Sequence, residues 1–116
     1  MTDSWLGAGV LGATTYHPLG IAGPWFDHST AGLDPELEPS LADVLAARAS
    51  RQALVREWLA TTTGADLEAL TSPPSGVPWP PPEELSARSR LHVILNEEWW
   101  HRQFAVRDMA HWPTVR

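Results

Sequence analysis

The chain of 116 residues contains no cysteine. That excludes a disulfide framework, a thiolate metal site and a cysteine nucleophile. Lysine is absent as well, so all eight basic residues are arginines. Positive charge is missing from the first part of the chain: residues 1–47 hold six acids and neither Lys nor Arg. With a formal net charge of −6 and no basic patch to neutralise phosphates, a nucleic-acid partner is not expected. Nor is there an apolar run of bilayer length. "WLGAGVLGA" is too short to span a membrane and lacks the basic flank of a signal peptide, so a cytoplasmic protein without membrane contact is expected. No period-two alternation marks a strand. Six prolines in the eleven positions 72–82 leave too few backbone donors for a sheet interior. Nucleophile-elbow, P-loop and dinucleotide fingerprints are missing too.

What the chain does contain is helical spacing and tryptophan. Ser40 reads as an N-cap with Asp43 as its capping-box acid, and Leu41, Val44, Leu45, Val55, Trp58 and Leu59 follow at helical intervals. This helix is predicted to end near residues 61–64 with Gly64 as its C-cap, and "ADLEAL" (65–70) to form a short helix. A second long helix is predicted from the first turn at Pro82, Glu83 and Glu84 to a stop before Pro113, with Leu85, Leu91, Ile94, Leu95, Ala105 and Met109 facing inward. Residues 4–12 read as the end of a further helix, weakened by Gly7, Gly9 and Gly12. The fold class is therefore all-α, one small domain over 1–116 with long Pro/Gly-rich connections. Two long helices, a short one and a stub cannot close a core around seven tryptophans, so either the long loops or a second copy of the chain must cover the open side.

Candidate chemistry lies in "LNEEWWHRQFAVRD" (95–108). Glu98 sits within the apolar stripe and His101 follows three residues later on the same face. A carboxylate and an imidazole so spaced form half of a helical-bundle metal site for a divalent ion such as Ni, Zn, Mn or Fe. His17 in "YHPLG" is the candidate third ligand, and His28 is a further loop histidine. His92 and His111 lie off the inner stripe and read as surface or capping residues. The competing reading is structural. A carboxylate inside a bundle needs a cation, and Arg48 on the other long helix or Arg102 one turn away would supply it. Trp99 and Trp100 point about 100° apart on a helix, so only one can face the core. With Trp5, Trp25 and Trp79 they would line either a subunit interface or a small-molecule pocket.

"YHPLG", "PSLADVLAARASRQALVREWL" and the "LNEEWWHRQFAVRDM" tail resemble the DinB-like (YfiT-like, DNA-damage-inducible) superfamily, and its actinobacterial branch above all. The resemblance covers nearly the whole chain. It implies a four-helix bundle, often dimeric, with a divalent metal at one end held by three histidines. Family activities include thiol-dependent transfer and isomerisation with mycothiol, bacillithiol or glutathione. Two departures follow. The segment matching the two-histidine pair on the last helix offers Glu97 with His101, or Glu98 with Arg102. "DSWLGAGVLG" matches only the tail of the family's second helix, so the first helix and most of the second are missing from the pattern. The resulting expectation is a partial DinB-like bundle with a degenerate metal site, acting as a binding or structural homologue. The alternative is a metal-dependent hydrolase or a thiol transferase or isomerase, with the metal on Glu98, His101 and His17.

Overall fold

A computed structural model describes residues 1–19, 32–34 and 36–112. Trp25 and His28 lie outside these residues. Among them the architecture is helical, as expected, with no helix long and apolar enough to cross a membrane.

Asp3–Ala8 forms a turn of π-helix, α1. Its width shows in the five-residue bonds from Gly9 N to Ser4 O and from Leu11 N to Leu6 O, both 2.9 Å. Leu41–Thr61 is α2, capped as predicted: Ser40 accepts from the Asp43 amide while Asp43 accepts from the Ser40 amide. Gly64 does not cap it. Thr62 ends α2, and Gly64 opens the short helix α3, Gly64–Glu68, whose own capping box joins Thr63 and Asp66. Both Asp66–Thr63 hydrogen bonds favour the charged form, and they hold the Asp66 carboxyl below its ordinary pKa.

A second correction concerns strands. Leu70–Thr71 (β1) pairs antiparallel with Leu85–Ser86 (β2), in the register Leu70 to Ser86 and Thr71 to Leu85. Two-residue strands leave no alternation for a sequence to display. Their pairing takes up the chain where α4 was expected to start, so that helix begins later, at Ala87, with Ser86 as N-cap, and runs to Ala110. Pro82, Glu83 and Glu84 remain in the connection.

The core is small and lies at the α1 end. Trp5, Leu6 and Ile94 form it, with Leu54, Val55, Trp58, Trp79, Leu85 and Val93 packed around them. Trp5 meets the ring of Trp79 edge-on at 6.1 Å. Gly9 allows α4 to approach: a Cβ there would lie 2.5 Å from the Trp5 carbonyl oxygen and 2.8 Å from Arg90 Cδ. The predicted inward stripe of α4 holds only at its beginning. Ile94 is buried and Leu91 half-buried, whereas Leu95, Ala105 and Met109 are exposed, and α2 has no buried residue.

Candidate functional site

Glu98 accepts a hydrogen bond from Arg48 Nη2 at 3.1 Å, linking α4 to α2. The pair is exposed, 56% for Arg48 and 55% for Glu98, so it carries little desolvation cost and contributes about 0–1 kcal/mol. Arg102, the other candidate partner, is exposed on α4 and makes no ion pair among the described residues. His101 turns its Nε2 toward Glu97, 3.5 Å away, and its ring meets Phe104 edge-on. Glu98 and His101 thus take different partners. His111 ends α4 as its C-cap, with Nδ1 donating to the Arg107 carbonyl at 2.8 Å.

His17 lies in the loop after α1. Its amide donates to Asp3 Oδ2 at 2.9 Å, and its Nδ1 accepts from the Leu19 amide at 3.1 Å. With Nδ1 accepting, a neutral ring carries its proton on Nε2, so neither ring nitrogen keeps a free lone pair for a metal in this arrangement. The ring lines an open cavity of about 500 Å³ with Leu19, Leu37, Glu38, Asp43 and Ala46. Among the described residues, no three His, Asp or Glu side chains converge to hold a metal ion.

Two polar centres lie where sequence reasoning did not look. Asp3 is the first. Its carboxylate takes the His17 amide on one oxygen and pairs with Arg51 of α2 on the other, joining α1, the following loop and α2. Nearby, the Tyr16 hydroxyl donates to the Trp79 carbonyl. Burial, with a lesser push from the charge of Asp3, raises the Tyr16 pKa above its ordinary value.

Arg90 is the second centre. It is fully buried, and no carboxylate pairs with it among the described residues. Nε donates to Thr71 Oγ1 at 3.0 Å, and Nη2 donates to the carbonyls of Thr71 at 2.8 Å and Glu83 at 2.6 Å. The guanidinium also lies 5.9 Å from the centre of the Trp5 ring. Burial lowers its pKa from the ordinary arginine value, partly offset by the charge of Glu83. The signal for Arg90 was available: it stands one helical turn before Ile94 and shares its inward face.

The geometry can fasten helices and leave apolar surface open. It does not assemble a three-donor metal cradle from Glu98, His101 and His17. No curated protein and no solved structure matches the chain. The sequence profile of the DinB superfamily does, over residues 1–105, which is most of the chain. The chain belongs to the DinB superfamily.

Proposed function

We propose that this DinB-superfamily chain acts as a binding or structural member of its family, with a degenerate metal site in place of a working one. The observation that carries this reading is the separate engagement of the donors. Glu98 is committed to Arg48, His101 lies beside Glu97, and the Nδ1 lone pair of His17 is taken by the Leu19 amide. A catalytic divalent ion needs at least three protein ligands with an open position, held by partners that fix each ligand's orientation. A second reading, a metal-dependent hydrolase or thiol transferase, draws on the Glu97–His101 pair, whose carboxylate and imidazole suit Ni, Zn, Mn or Fe. In that case the ion would polarise a substrate oxygen or lower the pKa of a bound water or thiol.

Calorimetric titration of untagged protein with Ni, Zn, Mn and Fe separates the two. The proposal expects no saturable site tighter than about 100 µM. A stoichiometric site of micromolar affinity or better, abolished by both His101→Ala and His17→Ala, would overturn it in favour of the enzyme.

A further inference from the structure

The loop after α1 and the opening turns of α2 leave an open recess between them. Its volume is about 500 Å³, within the roughly 300–1,000 Å³ that holds a small organic molecule. Leu19, Leu37 and Ala46 give it apolar walls, and His17, Glu38 and Asp43 supply its polar groups. Of the three donors weighed above as metal ligands it contains only His17.

The recess is one-sided in charge. No arginine is among its described lining residues, and residues 1–47 hold six acids without one Lys or Arg. Its two carboxylates are not equivalent. Asp43 closes the capping box: its Oδ2 accepts from the Ser40 amide at 3.1 Å and from the Ser40 hydroxyl, and its charge answers the positive end of the α2 dipole. Glu38 makes no hydrogen bond or ion pair among the described residues, so its charge is left over. His17 adds no acceptor, because its Nδ1 already takes the Leu19 amide. An anion in the recess would meet Glu38 at like charge, whereas a cation finds an unpartnered carboxylate beside apolar surface.

The kind of cation follows from the lining. A quaternary ammonium is held by a cage of aromatic rings, and Trp, Tyr and Phe are missing from the described lining residues. A primary ammonium donates hydrogen bonds to carboxylate oxygens, and Glu38, with the Oδ1 of Asp43 outside the capping box, can accept them.

We propose that this recess binds a primary organic amine, its ammonium on Glu38 and its apolar body against Leu19, Leu37 and Ala46. Asp43 adds to the negative field. The proposal rests on the binding role given above and supplies its ligand class, and neither the contact nor its readout involves a metal.

Phenethylamine is the probe, titrated calorimetrically into the untagged full chain near neutral pH and at low ionic strength. Phenethyl alcohol and hydrocinnamate serve as neutral and anionic molecules of similar shape. A single saturable site of about millimolar affinity or better is expected for the amine, roughly tenfold weaker for the alcohol and absent for hydrocinnamate. Glu38→Gln should weaken the amine about threefold to fivefold and leave the alcohol unchanged. Glu84→Gln removes the same charge outside the recess and should change neither. Ala46→Trp, at an exposed position of α2, should block both ligands while far-UV circular dichroism stays unchanged. Equal affinity for amine and alcohol overturns the inference, as do equal effects of the two glutamate variants. The lack of any saturable amine site up to about 10 mM overturns it too. A tight metal site would refute the degenerate centre and a missing amine site this ligand class, so the two failures are read apart.

Discussion

Arg90 shows how a guanidinium can be buried without a counter-charge. Backbone carbonyls of Thr71 and Glu83 and the Thr71 hydroxyl take the donors of Nε and Nη2, the face of Trp5 supplies further negative potential, and buried Nη1 finds no partner among the described residues. Removing the side chain leaves those carbonyls facing an apolar gap, each at a desolvation cost of about 1–3 kcal/mol. Arg90→Leu is therefore expected to lower stability by about 3 kcal/mol, read from the urea midpoint by circular dichroism. Arg90→Lys should not rescue it, because an ammonium cannot span three acceptors arranged for a planar fork. By contrast, Arg48→Ala should change stability by less than about 1 kcal/mol, since its pair with Glu98 is solvated. The sequence drew attention to Glu98 because a carboxylate in an apolar stripe stands out. It did not draw attention to Arg90, because an arginine early in a helix reads as a solvated one until its partners, nineteen and seven residues away, are known.

At the level of elements, α2 was legible from local chemistry. Ser40 and Asp43 form their capping box within four consecutive residues, so the signal and the structure occupy the same short window. Ser40→Ala is expected to cost about 1 kcal/mol, seen as a loss of helical ellipticity at low denaturant ahead of the main transition. The early loss follows from burial: no side chain of α2 is buried, so its opening turns have little tertiary packing to hold them. The start of α4 was not legible. Prolines 80–82 and two glutamates satisfy every local criterion for a first turn, yet the chain there belongs to the approach to β2. What decides the matter is non-local, the pairing of Leu85 with Thr71 and the use of the Glu83 carbonyl by Arg90. Gly64 was misplaced for a similar reason: Thr63 with Asp66 makes a stronger start signal than Gly64 makes a stop.

The described residues span 54 × 32 × 23 Å, with a radius of gyration of 15.8 Å. A compact domain of this length would have about 13 Å. That the elements cannot enclose their own apolar residues is visible in the sequence, from the number of helices against the number of tryptophans. Which faces stay open is not visible, because it depends on where α4 leaves the core. If two copies close those faces, the folded state is favoured by mass action. The midpoint of thermal unfolding should then rise by several degrees for each hundredfold increase in protein concentration, as followed by scanning calorimetry. A midpoint independent of concentration would place the folded state in the monomer.

Ala87, Arg90 and Ile94 are the buried residues of α4, and all lie in its first eight positions. From Ile94 to Ala110 the helix continues for about 24 Å with no buried side chain. It is a beam clamped at one end. A tilt of about 10° at the clamp carries its tip through roughly 4 Å, the width of a methyl group or a single ring, while every backbone bond in the helix stays intact. The hydrogen bonds of Arg90 to the Thr71 and Glu83 carbonyls lie at the pivot of any such tilt.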